Sequence, residues 1–297
     1  MNEVTQKKSN SRSSSPASSL WQDAWKRLFK NKAAVISLFY IIGIILVAIF
    51  ADVLAPFSYE VQSPENRLAF PNTTYWMGTD ILGRDLFSRV IYGTRMSMSV
   101  GIIIAFCSLI VGTIYGSLSG YAGGQLDNIL MRVVDILYTF PSLLLIILIR
   151  VIFGPGLFGI FLALTIVEWV SVSRIVRGQI LQVKEMAYVE AARAVGVKHQ
   201  IIIARHILPN ILGPIIVTLT FEIPAAILSE SFLSFIGLGL QPPFSSWGSL
   251  ANDGFQAFKS YPYLIFFPGM AIFLTVLAFN LLGDGLRDAL DPKLKNT

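Results

Sequence analysis

Residues 33–54 read AAVISLFYIIGIILVAIFADVL, and no charge interrupts them before Asp52. About 20 mostly apolar residues is the length a helix needs to cross the hydrocarbon core of a bilayer. The run follows a long polar and basic leader, exceeds the apolar core of a secretory signal, and has no small-residue cleavage site behind it. It is therefore expected to be a retained membrane helix. That reading sets the fold class: all-α, with the bilayer as solvent.

Runs of the same kind recur at 97–118, 129–151, 157–176, 211–236 and 263–284, giving a polytopic protein of about six spans. No β-type alternation points to a barrel. Composition agrees: of 297 residues, 54% are hydrophobic and only 14% charged, with a mean hydropathy of +0.64. A soluble domain carries about a quarter charged residues. The net charge of +5 comes from basic residues spread between apolar runs, so nucleic acid is not an expected partner. Cys107, the one cysteine, lies inside an apolar run and reads as a small core residue.

Ahead of the first span, residues 1–19 are rich in Ser, Lys and Asn and should be disordered. Trp21, Trp25, Leu28 and Phe29 then form one helical stripe among Lys26, Arg27, Lys30 and Lys32. This suits either a headgroup-level helix in contact with lipid or a basic flank of the first span. The chain thus divides into a tail with an amphipathic segment (1–32), a membrane domain (33–290) and a short second tail (291–297). Lysine and arginine concentrate in the leader, in 174–205 and at the C-terminus, so the positive-inside rule puts both termini in the cytoplasm. The outer side then receives 55–96, and the inner side 177–210; connections this long are usually functional.

The inner loop runs from Lys184 through Glu190, Ala191, Ala192 and Gly196 to Leu208 and Pro209. Its alanine-rich first part is good helix, Gly196 permits a left-handed turn that ends it, and a second short helix carries Ile201–Ile203 up to Pro209. The loop resembles the EAA loop of ABC importer permeases: Glu-Ala-Ala, three residues, Gly, then a downstream Leu-Pro. His206 departs from that pattern, where many members have isoleucine. The resemblance implies that the first short helix docks in a groove of a cytoplasmic ATPase, with Glu190 at the contact and Gly196 setting the turn.

A second stretch, from Met77 through Gly78, Thr79, Asp80, Gly83, Arg84, Asp85 and Arg89 to Ser97, looks like the Gly-Thr-Asp-x-x-Gly-Arg-Asp segment of oligopeptide, dipeptide and nickel permeases, in their C-type subunit. Arg132-x-x-Asp135 with Pro141, Ser231–Leu240, Ser246-Trp247-Gly248, Gly283–Asp288 and Asp291-Pro292 extend the match from about Ser19 to Lys295. Such a permease implies a bacterial plasma (inner) membrane and a type I ABC importer-like bundle. It also implies a second homologous permease, two ATPase subunits that hold ATP and Mg, and an extracellular or periplasmic solute-binding protein. The Asp80, Arg84, Asp85 and Arg89 cluster reads as a self-satisfied turn network, with contact to a neighbouring chain as the functional alternative.

Charges at membrane depth tend to face a cavity or a partner. Glu168, Glu222 and Glu230 are the candidates for lining a pathway or gate, against simple interhelical hydrogen bonding. Arg132 and Asp135, three apart, can pair on one helix face. Pro141 and Pro224 are expected to kink their helices and free backbone groups. No catalytic constellation occurs. His199 and His206 are too unaccompanied for a metal site, and no phosphate-binding loop is present, so the chain has no cofactor of its own and is not an enzyme. Peptide uptake is the expected activity, with nickel or another metal chelate as alternative cargo. A secondary transporter is the alternative of another class, but would need paired broken helices or repeats.

Overall fold

The computed structural model describes residues 20–154 and 156–291. The tail 1–19 and residues 292–297 lie outside the described residues, as do their basic side chains used in the orientation argument. Helix α1 (Leu20–Leu28) packs Ala24 and Leu28 inward and leaves Trp25 and Phe29 exposed, their rings stacked 5.8 Å apart. Asn31 turns the chain into α2 (Lys32–Ile49), its side chain accepting from Ala34 N at 3.2 Å. One turn, α3 (Ala51–Leu54), leads into a largely irregular segment that runs to Asp85. From Asp85 starts α4 (Leu86–Ala122), 37 residues long and well in excess of a bilayer crossing.

The fourth of the apolar helices that cross in sequence order is α7 (Leu157–Val183), and it is reached through a broken pair. Helices α5 (Gly124–Thr139) and α6 (Ser142–Phe153) meet at 91°. The expected single helix over 129–151 is thus two halves. Pro141 pushes Phe140 into extended backbone (φ −69°, ψ 136°), which ends α5. Pro224, by contrast, lies within a helix that continues from Leu212 to Phe235, where its missing N–H leaves one carbonyl of the preceding turn free.

Beyond α7 come two short helices, α8 (Ala187–Ala194) and α9 (His199–Ile201), followed by a wide π turn (Ile202–Ile207) and a tight 3-10 turn (Leu208–Ile211). These feed α10 (Leu212–Phe235). Helix α11 (Trp247–Gln256) is short and caps one end of the bundle, and α12 (Tyr263–Leu290) closes it.

Close backbone approach organises the centre. Gly112, Gly116 and Gly120, one helical turn apart on α4, face Val172, Ser173 and Ile180 of α7; a Cβ on Gly116 would stand only 2.4 Å from Ser173 O. Small residues at this spacing are how membrane helices approach closely where lipid offers no hydrophobic drive. Trp247, fully buried, wedges α11 against α4 and donates from Nε1 to Val90 O at 3.2 Å.

Hydrogen bonds fix which end each helix occupies. At one end Asp127 of α5 meets Ser119 of α4 and Arg177 of α7 (2.6 Å), and Arg27 Nη1 donates to Asp291 O at 3.4 Å. At the other, Tyr263 donates to Thr79 O (3.0 Å) and Arg95 Nε to Ala48 O (2.8 Å). Arg150, near the end of α6, is 7% exposed and donates at that second end to the carbonyls of Gly154, Gly156, Leu238 and Gly239. The α5–α6 pair therefore starts at one end and finishes at the other, and counts as one broken crossing. With the five long helices this makes six crossings, and the first and last described residues share an end. The protein is an all-α, multi-pass membrane bundle.

Candidate functional site: the coupling element and the intramembrane carboxylates

The segment after α7 is a seated element, packed against the bundle. Helix α8 ends on a Schellman motif: Gly196, at φ +78°, donates to Arg193 O (3.0 Å), and Val197 N donates to Ala192 O (3.1 Å). Only a residue tolerant of the left-handed region ends a helix this way without strain. Val189, Ile202, Ile207 and Ile211 are buried beneath it, packed with Val172, Val176 and Ile180 of α7. Glu190 and Ala191 point away from the bundle, beside Val195 at 79% exposure; Ala192 is turned inward. Leu208 is half-buried and Pro209 sits in the 3-10 turn that joins the element to α10. The arrangement presents Glu190 and its flanking alanine on a base packed against α7.

At the other end of the bundle, Asp80 is the hub of a charged network. It is 1% exposed and accepts from Arg84 Nε (2.7 Å), Arg89 Nη1 (2.5 Å) and the amides of Leu82 and Arg84. Asp85 serves instead as the α4 N-cap, accepting from Ser88 N at 2.8 Å and Ser88 Oγ at 2.6 Å. Arg89, 4% exposed, also reaches Ser245 Oγ (2.8 Å) and Asp253 (3.2 Å). Asp253 and Ser245 were not among the residues expected; nothing in their local sequence marks them, because they enter from α11 and the turn before it.

The three acidic residues part company. Glu230 is fully buried within the chain and accepts from Ser234 Oγ at 2.6 Å. Glu168 accepts from Ser229 Oγ at 3.1 Å and lines a cavity of about 330 Å³ at the α5–α6 break, with Tyr138, Phe140 and Ser142. Glu222 lines a separate cavity of about 470 Å³ between α7, α10 and α12, with Gln179, Phe221 and Arg287. Glu222 thus opens into a cavity, whereas Glu230 is enclosed. The expected Arg132–Asp135 pair is also replaced: Asp135 binds Arg174 at 2.7 Å, and Arg174 lies over the Tyr138 ring at 4.2 Å. An α7 guanidinium stacked on an α5 ring reaches Asp135 better than the exposed Arg132 on its own helix. Among the described residues, no group of three or more His, Cys, Asp or Glu side chains is placed to hold a metal ion.

The comparisons fit this architecture. Residues 112–296 match the family described as "Binding-protein-dependent transport system inner membrane component", and residues 19–71 match the "N-terminal TM domain of oligopeptide transport permease C". The chain is similar to the dipeptide transport system permease protein DppC of Bacillus subtilis, at 49% identity over 94% of this chain and 88% of that protein. It is similar also to the oligopeptide transport system permease protein OppC of the same organism, at 47% over 93% and 91%. A solved structure of the MetNI methionine ABC transporter, in inward-facing conformations, shares the fold: TM-score 0.58 at 19% identity, covering 69% of this chain and 98% of that one. An inner membrane component of a binding-protein-dependent system is one part of a larger assembly and a transport component, not a catalyst. The chain belongs to this family of binding-protein-dependent transport system inner membrane components, as an ABC importer permease of the oligopeptide permease C branch.

Proposed function

We propose that this chain forms half of the translocation pathway of an ATP-driven peptide importer in a bacterial plasma membrane. The observation that carries the proposal is the seated element at residues 184–211, whose outward ridge holds Glu190 while its underside locks onto α7 and α10. Two cytoplasmic ATPase subunits, holding ATP and Mg, dock on that ridge, and their closure drives the bundle between inward- and outward-open states. Both termini are cytoplasmic, on the side of the element. The permease domain is 33–290, flanked by tails 1–32 and 291–297. A second, homologous permease completes the pathway, and an external solute-binding protein delivers cargo at the end built around Asp80.

Peptide is preferred to a nickel chelate because the relatives described above are named for dipeptide and oligopeptide transport. A secondary transporter is disfavoured by family membership. Glu168 and Glu222, each opening into a cavity at membrane depth, are the pathway-lining carboxylates, since an ionisable group there needs water or a ligand and not lipid. Glu230, enclosed within the chain, is a structural hydrogen-bonding residue. The test is Glu190→Lys in the host strain. Peptide uptake falls at least tenfold while the amount of permease in the membrane stays unchanged. Uptake at the wild-type rate overturns the docking assignment.

A further inference from the structure

A cavity of about 610 Å³ lies beside the coupling element, at the same end of the bundle, and neither the pathway nor the docking ridge uses it. Tyr121, at the end of α4, organises its floor. Its hydroxyl pairs with His199 Nδ1 at 2.8 Å, so a ligand meets the imidazole at Nε2, and its ring lies 5.9 Å from the Arg193 guanidinium carbon. Lys184 closes the near wall. Its ammonium donates one hydrogen to Gly120 O at 3.0 Å and keeps two for another acceptor. Glu185 is the one carboxylate in the lining, set against two permanent cations and an imidazole.

The rest of the lining has a different character. Leu118 and Leu126, 53% and 51% exposed, carry the cavity from this basic end along α4 and α5. Leu118 stands three residues before Tyr121, roughly 4.5 Å deeper along the helix axis. The cavity is thus basic where the helices leave the bilayer and apolar where they enter it. An ammonium, a guanidinium and an imidazole within one opening suit a multi-oxygen anion, and phosphate takes charge-assisted bonds from all three. Basic pockets between transmembrane helices at the cytoplasmic side are places where anionic headgroups bind.

We propose that this cavity binds the phosphate of an anionic glycerophospholipid, with its acyl chains lying over Leu118 and Leu126. The lipid joins α4 and α5 to Lys184, which follows α7, and to α8 and α9 of the coupling element. It thereby ties the element to the membrane surface. The assignment of the leaflet rests on the orientation proposed above; the binding does not.

The experiment uses the intact transporter complex, purified in mild detergent and stripped of lipid. Native mass spectrometry follows its titration with dioleoyl phosphatidylglycerol or with dioleoyl phosphatidylcholine. The expected result is at least tenfold tighter retention of the phosphatidylglycerol, reduced about tenfold in the Lys184→Gln, His199→Gln double variant. Equal retention of the two lipids by the wild-type complex overturns the proposal and needs no variant. So does displacement of bound phosphatidylglycerol by millimolar inorganic phosphate, which would reassign the cavity to a soluble anion. Binding by the permease alone but not by the complex also overturns it, because an ATPase subunit then fills the cavity. Since retention is read in solution, a failure here leaves the uptake test of Glu190→Lys untouched.

Discussion

Arg89 touches three groups drawn from three parts of the chain, and its side chain is almost wholly out of solvent. Breaking a buried charge pair costs up to about 3–5 kcal/mol, and less here because Asp80 keeps Arg84 and the amides of Leu82 and Arg84. Arg89→Gln is therefore expected to lower the thermal unfolding midpoint of the purified complex sharply. Arg84→Gln, whose guanidinium is more exposed and whose partner Asp80 keeps Arg89, should lower it much less. Equal shifts would mean that burial is not what makes Arg89 matter. The sequence made half of this network readable. Asp80, Arg84, Asp85 and Arg89 stand within ten positions, and turn glycines at 78 and 83 announce that the chain folds back on itself. Asp253 and Ser245 lie more than 150 positions away, and no local pattern ties them to Arg89. The Asp135 partner failed to show for the same reason. Residue spacing favours Arg132 on the same helix, and only the packing of α7 on α5 brings Arg174 within reach.

Among elements, the α4–α7 contact rests on the glycine stripe. An added side chain at Gly116 meets the backbone of Ser173 and Arg177, which cannot rotate away. Overpacking of this kind costs about 1–3 kcal/mol in a soluble core, and Gly116→Leu should be at the upper end or prevent assembly. Gly178→Ala is the matched control, since nothing in the chain lies within 4 Å of an added Cβ. It should be neutral, or stabilising by about 0.5–1 kcal/mol from helix propensity. Comparing the unfolding midpoints of the two variants decides the point. The three glycines at four-residue spacing were visible in the sequence, yet their meaning needed a partner helix. Pro141 was legible as an interruption, whereas the 91° turn it permits was not, because the angle is set by what α6 packs against.

For the whole molecule, the parity of crossings depends on the broken pair. Helix α5 spans about 24 Å and α6 about 18 Å, so neither reaches across a core of about 30 Å alone. Gln125→Cys and Ile152→Cys, each in a Cys107→Ser background, test the assignment. A membrane-impermeant maleimide applied to intact cells should label Ile152→Cys, and Gln125→Cys only after permeabilisation. Labelling of both from one side would make the pair a re-entrant loop and place the two ends of the bundle's chain on opposite faces. Six crossings were countable from hydropathy alone; the ends of the helices were not, because α4 and α7 run on past the apolar stretch into polar residues that pack on other elements.

Arg150 differs from Arg89, the other buried guanidinium among the described residues, in what holds it. Its hydrogen bonds go to main-chain carbonyls, which neither gain nor lose a proton in any medium a cell tolerates. Arg89 leans instead on the carboxylates of Asp80 and Asp253. The clasp that Arg150 makes between the α6–α7 turn and the segment after α10 has no titrating member besides itself. Swapping any side chain it meets for another leaves this rivet closed, because backbone alone receives it.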